Sequence, residues 1–215
     1  MKLKLVVFVG AITVLTNVNV MGQHPYGDVE QTEWDIIVES ESASPSIVDF
    51  VTSYLHETED ELHGMLSHAW QRYLKHEPAE KGATMFVDAK NGHISYTVDD
   101  DLAYPDDHSG QMLLVELCYW NCADGIHKLF AENVVSTTNG RPTATEFDGL
   151  HFYLYDNNTK RMSVIYYIIE EWDGNDMVTY SLPKKGKDIV ATIHTPSGKL
   201  QKTLVWDGYR FHYAK

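Results

Sequence analysis

From Gly82 onward the chain offers ten short strand-like runs, with turn residues between them and no helix-length segment to interrupt them. The runs cover 84–88, 93–98, 112–120, 126–135, 147–155, 161–169, 177–182, 188–194, 199–206 and 209–213. A parallel connection needs a crossover of about a dozen residues or more, so strands joined this tightly must be antiparallel neighbours. The pattern predicts a long meander. Ten strands strain a flat open sheet, so strong curling, a partial barrel or two packed sheets is expected.

The turns carry a repeated signature. Trp-Asp-Gly occurs at 172–174 and again at 206–208, with relaxed copies at Phe147-Asp148-Gly149 and Ala123-Asp124-Gly125. Asn91-Gly92, Lys185-Gly186 and Ser197-Gly198 punctuate other runs. Asp-Gly suits tight hairpins, because a type I′ turn holds both central residues at positive φ. The aromatic residue before each pair then sits at a strand end. On that reading Trp120, Trp172, Trp206 and Tyr209 line one rim of the sheet and are exposed, the candidates for contacting a ligand.

Before the meander, 46–76 repeats apolar residues at helical spacing: Ile47, Val51, Tyr54, Leu55, Leu62, Met65, Leu66, Ala69 and Tyr73. Ser44 followed by Pro45 reads as its N-cap and first helical position. Thr58 and Gly64 weaken the middle, leaving one long helix or two with a kink. His56, Asp60 and His63 share a face nearly opposite the stripe, which reads as the solvent side rather than a metal site. Residues 23–45 read as an irregular segment and a Ser/Glu linker, with the short apolar run "DIIVE" at 35–39 as an edge strand.

Residues 1–22 have the anatomy of a cleaved secretory signal: Lys2 and Lys4, an apolar stretch, then Val20 and Gly22 before the cut. Thr13, Thr16, Asn17 and Asn19 interrupt that stretch, against a permanent anchor, and no cysteine near the cut invites a lipid. The expected location is periplasmic or extracellular. The net charge of −14 becomes more negative once the two lysines leave with the signal. Nucleic acid or an anionic membrane would need a basic patch, so both are unexpected partners.

The chemistry-bearing clusters are few. Cys118 and Cys122 are the only cysteines, and export makes a disulfide a possibility. On one extended strand they would lie roughly 13 Å apart, so they bridge only if the chain bends at 119–121. Asp99, Asp101, Asp106 and Asp107 crowd an acidic loop that is the first choice for a calcium site, although it lacks the EF-hand frame. Glu170 and Glu171 are adjacent on a strand and face opposite ways, so they are not by themselves a glycosidase pair. No nucleophile elbow, phosphate-binding loop or dinucleotide motif occurs.

At "LCYWNCADGIHKLFAENV" and "GLHFYLYDNNTKRMSVI", and in a signal ending in Gly-Gln, the chain resembles secreted and periplasmic proteins of gut Bacteroidetes. Those families pair an N-terminal helix with a long strand meander. The resemblance implies a Gram-negative envelope or secreted location and transfers no active site. The expectation is thus a single α+β domain over 46–215, its helix at 46–76 packed on a curled meander at 84–213. The expected function is non-enzymatic binding of a polysaccharide or an envelope protein. One alternative is a glycan- or cell-wall-acting hydrolase, pairing carboxylates from the 99–107 loop with Glu116 or Glu170; another is an acidic inhibitory or structural module.

Overall fold

A computed structural model describes residues 22–24, 26–29, 35–58, 60–99, 110–143, 148–170, 172, 174 and 176–215. Residues 1–21 of the expected secretory signal, Asp101, Asp106, Asp107 and Glu171 lie outside them. No described helix is long and apolar enough to cross a membrane. Three short strands open the described chain: β1 (Gly22–His24), β2 (Gly27–Val29) and β3 (Ile36–Ile37). Two helices follow, α1 (Ile47–Glu57) and α2 (Glu61–Leu74), then β4 (Ala83–Asp88), β5 (His93–Asp99), β6 (Gln111–Asn121), β7 (His127–Thr138) and β8 (Arg141–Thr143). The chain ends with β9 (Gly149–Asp156), β10 (Arg161–Tyr166), β11 (Met177–Ser181), β12 (Ile189–Thr195), β13 (Gly198–Trp206) and β14 (Phe211–Tyr213).

The fold is mainly β, a curled half-barrel sheet carrying two short helices, which takes the second of the two expected forms, two helices with a break, over one long N-terminal helix. The larger sheet runs β1-β2-β10-β9-β7-β6-β5-β4, with β3 also on β10 and β8 also on β7. A second sheet, β11-β12-β13-β14, is separate, and every strand pairing within the two sheets is antiparallel. Side chains alternate faces along a strand, so β7 divides its residues between two cores. Phe130 and Val134 pack under the helices with Ile94, Val115, Leu117 and Tyr155. Leu129 and Ala131 face the second sheet with Trp120, Phe152, Ile189, Leu204 and Phe211. The order is helices, large sheet, small sheet. Burial on both faces explains why "LLVELCYW" in β6 shows almost no polar alternation.

The helical segment breaks at Thr58. Ser46, not Ser44, caps α1: its side chain accepts from the Asp49 N–H, and the Asp49 carboxylate accepts from the Ser46 N–H at 2.7 Å. Thr58 ends α1 in an extended conformation, its hydroxyl donating back to the Tyr54 carbonyl at 2.8 Å. Asp60 then caps α2 by accepting the His63 N–H at 2.9 Å. Trp70 donates from Nε1 to Thr52 Oγ1 at 3.1 Å and ties the two helices together.

The Asp-Gly pairs do turn corners, by a different geometry from the one expected. Among the described residues only Asn139-Gly140, joining β7 to β8, holds both central residues at positive φ, 51° and 74°. At Asp124 and Asp207 the aspartate stays at negative φ and its Oδ1 accepts two following backbone N–H groups. These two turns also touch, since the Ala123 N–H donates to the Gly208 carbonyl at 3.0 Å. A Cβ on Gly208, at φ 101°, would stand 2.8 Å from the Ala123 Cβ. Gly208→Ala is therefore expected to cost about 1–3 kcal/mol in urea unfolding, through strain and overpacking combined. A cost near zero would mean that the two sheets are not pinned there.

Candidate functional site

The expected aromatic rim does not form. Trp120 and Trp206 are 3% and 6% exposed and pack around Phe211, with ring centroids 5.2 and 4.8 Å from it. Trp120 Nε1 donates to the Lys187 carbonyl at 2.8 Å. The second sheet closes over the face on which these residues stand, so strand ends that would rim a single sheet lie between two. Trp172 is half-buried against Tyr213, under the Lys202 ammonium at 4.8 Å. Tyr209 alone meets the expectation of exposure, at 40%, and stacks on Tyr26. Two exposed tyrosines that were not expected are Tyr166, the last residue of β10, and Tyr167 just after it, at φ 60°.

Cys118 and Cys122 are both buried free thiols. β6 stays extended through Asn121, so the bend a bridge requires is absent. Burial pushes both thiols up to about 12, which keeps them protonated and unreactive. Asp99 is the one described member of the proposed calcium loop, and it belongs to β5. Among the described residues no group of three or more His, Cys, Asp or Glu side chains is placed to hold a metal.

The structure does gather a polar network beneath the helix pair. Tyr54 on α1 donates its hydroxyl to Glu132 Oε2 at 2.9 Å. His63 Nε2 lies 3.0 Å from Glu132 Oε1 and 3.0 Å from the Tyr54 hydroxyl, while its Nδ1 pairs with Asp60 Oδ2. Tyr153 joins through its hydroxyl, 3.3 Å from that of Tyr54. Burial alone pushes the His63 imidazole down; the hydrogen bonds and charges of Glu132 and Asp60 outweigh it, so His63 titrates above its ordinary value. This overturns the solvent-side assignment of His63. The break at Thr58 restarts the helical phase, and an angle carried across it from α1 puts His63 on the wrong side.

A second buried carboxylate serves the opposite face. Glu116 Oε2 accepts the Leu182 N–H at 2.9 Å and the Asn133 amide at 3.1 Å, and Asn133 also donates to the Tyr180 carbonyl at 2.8 Å. Burial raises the Glu116 carboxyl against the pull of those donors. Glu116 and Glu132 are thus a stitch to the small sheet and a stitch to the helices. Each interrupts an apolar run, in "LLVELCYW" and "LFAENVV"; Glu116 was already a candidate acid, and the same signal, a lone acid in such a run, could have found Glu132.

His93, on β5 opposite Cys118, is 0% exposed, with no hydrogen-bond partner at either ring nitrogen among the described residues. Burial and then the Lys184 charge lower its pKa below the ordinary 6.5. A depressed histidine favours folding above the unfolded value, and that favour is lost as pH falls below about 6.5. His93→Leu is expected to flatten this acid-side loss, changing stability at pH 8 by under about 1.5 kcal/mol. Urea unfolding at pH 5, 6.5 and 8 reads the difference (pH settings about those of the histidine range).

A half-open cavity of about 190 Å³ lies where β11, at the edge of the small sheet, faces β7, β8 and the start of β9. Val135, Met177 and Val178 are apolar members of the described lining, Thr143 is a hydroxyl-bearing one, and Asp148 is the one charged residue among the described lining residues. Asp148 Oδ1 accepts the Ser136 N–H at 2.6 Å, which fixes the carboxylate at the rim. The volume exceeds the ~150 Å³ that holds a benzene ring. It falls short of the ~300 Å³ at which sites for whole small molecules begin.

The described residues form a two-sheet, helix-backed β protein with a shallow cavity lined in part by Asp148 and with two buried carboxylates, Glu116 and Glu132, hydrogen-bonded within the chain. Comparison with family models, curated proteins and solved structures finds no match to this chain.

Proposed function

We propose that the protein is an exported, periplasmic or extracellular, non-enzymatic binding protein, and that its ligand is another protein rather than a polysaccharide. The observation that carries this reading is the placement of Glu116 and Glu132 on opposite faces of one sheet, each saturated by its own chain. A glycan hydrolase needs two carboxylates about 5–10 Å apart across a common gap. Glu116 and Glu132, on opposite faces, do not converge on one. Burial of Trp120 and Trp206 removes the row of stacking surfaces a sugar chain would use. The inter-sheet cavity has room for one projecting group of a larger partner.

A thermal-shift series tests it, with glycans and peptidoglycan fragments in one arm and envelope-protein fractions and purified basic proteins in the other. A protein ligand at a hundredfold excess over its Kd adds about 2.7 kcal/mol to the folded state and raises the midpoint. Glycans are expected to leave the midpoint unchanged and to be recovered intact after long incubation. Cleaved glycan would overturn the non-enzymatic reading, and a midpoint raised by glycans alone would return the ligand to sugar.

A further inference from the structure

We infer that β4 is a docking edge for a second copy of this chain, the two strands pairing antiparallel about a two-fold axis at Phe86. β4 ends the larger sheet, with β5 on one side and no described strand on the other. A free row of N–H and C=O groups recruits another strand, so sheet ends are ordinarily blunted by shortness, lysine, proline or a bulge. β1 and β14 are blunted by length, with three residues each, and β11 borders the cavity at the sheet corner. β4 has no such guard. Its six residues, "ATMFVD", pair one to one with β5, and Asp88 at the end is the one charged side chain. Phe86, near the middle, is 46% exposed.

The register decides which groups point outward. The Asp99 N–H donates to the Gly82 carbonyl at 3.1 Å, so the β4 residues that exchange hydrogen bonds with β5 are Thr84, Phe86 and Asp88. The N–H and C=O groups of Met85 and Val87 therefore project from the free edge. A two-fold axis at Phe86 sets Met85 of one copy opposite Val87 of the other, and each of these groups gains a partner. The two Phe86 rings then stand opposite each other in a non-hydrogen-bonded pair, where side chains come closest. That reciprocity selects a second copy as the occupant, since it brings both the spacing and the ring. Charge permits the approach despite the net −14. Lys184 Nζ lies 5.7 Å from the Phe86 ring centroid, and Asp88 shares the Phe86 face. Across the axis Asp88 falls diagonal to Phe86 of the other copy, toward that copy's Lys184.

Sedimentation equilibrium of the protein over a wide concentration range is expected to show monomer and dimer and nothing larger, because the two-fold contact uses up both edges. Val87→Pro removes one outward N–H from each copy and leaves the bonds to β5 intact. It should weaken the dimer about tenfold or more while the monomer stays folded. Phe86→Lys sets like charges opposite each other at the axis and should abolish the dimer. Amide hydrogen exchange needs no variant. The Met85 and Val87 N–H groups should be protected where the dimer forms and exchange freely on dilution, with Thr84 and Phe86 protected throughout.

A monomer at every concentration overturns the inference, as do assemblies that grow beyond the dimer. A dimer that persists in both variants places the contact elsewhere and overturns it too. Should a variant fail to fold, exchange in the unaltered protein decides: Met85 and Val87 protection that ignores concentration overturns the proposal. None of these outcomes touches the ligand class proposed above, which the thermal-shift series tests on its own.

Discussion

Replacing Glu132 by alanine is expected to cost about 3–5 kcal/mol of unfolding free energy, because it strips one partner from a buried charge pair and leaves the other unpaired. Glu132 is 3% exposed and accepts from both the Tyr54 hydroxyl and His63. Its loss leaves His63 buried with Asp60 as its one charged partner. The pH dependence carries a distinct signature. Because His63 titrates above 6.5 when folded, its contribution is complete below that value and is lost as pH rises through the folded pKa. In Glu132→Ala that alkaline-side decline should shrink, and the His63 ring resonances should titrate at lower pH than in the unaltered protein. Urea unfolding across neutral pH, with proton resonances of the ring, measures both. A cost below about 1 kcal/mol, the size of a surface pair, would mean the network is not a stitch between helices and sheet.

Trp120→Ala should be comparably severe, about 3–5 kcal/mol, through the cavity left between the sheets and the loss of the Nε1 bond to the Lys187 carbonyl. Tyr209→Ala removes a ring that is 40% exposed and should cost under about 1.5 kcal/mol, mostly its stacking on Tyr26. The pair of variants separates two roles that look identical in the sequence, an aromatic residue at a strand end that fills a core and one that meets solvent. Both are read by chemical denaturation followed by circular dichroism. A folded, undiminished Trp120→Ala would restore Trp120 as a surface residue and contradict the two-sheet packing.

Of these two histidines, His93, on the sheet face away from the helices, contributes a loss on the acid side, and His63, on the helix face, one on the alkaline side. Their pKa values move in opposite directions for one reason: both are buried, but only His63 faces carboxylates that outweigh the burial.

Nothing in the sequence said which histidine would have such partners. His63 and Asp60 are three residues apart, but Glu132 comes from β7, brought over by the sheet. The reading of 56–63 as a solvated face failed at one place, the Thr58–Asp60 break. The apolar spacing of α1 and of α2 was each legible, and the angle between them was not. Glu116 was visible as a candidate acid, and its actual work on the Leu182 N–H depends on a strand of a sheet whose position no local pattern states.

The sequence by itself determined most of the strands after Gly82, though not β8 or the early strands β1 and β2, and it determined their antiparallel sense. Those are set by side-chain period, short connections and turn residues, all written within a few neighbouring positions. It also placed Ile47, Val51, Tyr54, Leu55, Leu62 and Leu66 in the core correctly. Only the tertiary structure decided that 177–213 forms a separate sheet laid on the far face of the first. Whether a strand-end tryptophan faces water or a second sheet depends on contacts between residues far apart in the chain. That packing buried Trp120 and Trp206, put Glu116 and Glu132 on opposite faces, and opened the Asp148 cavity at the corner where the two sheets part.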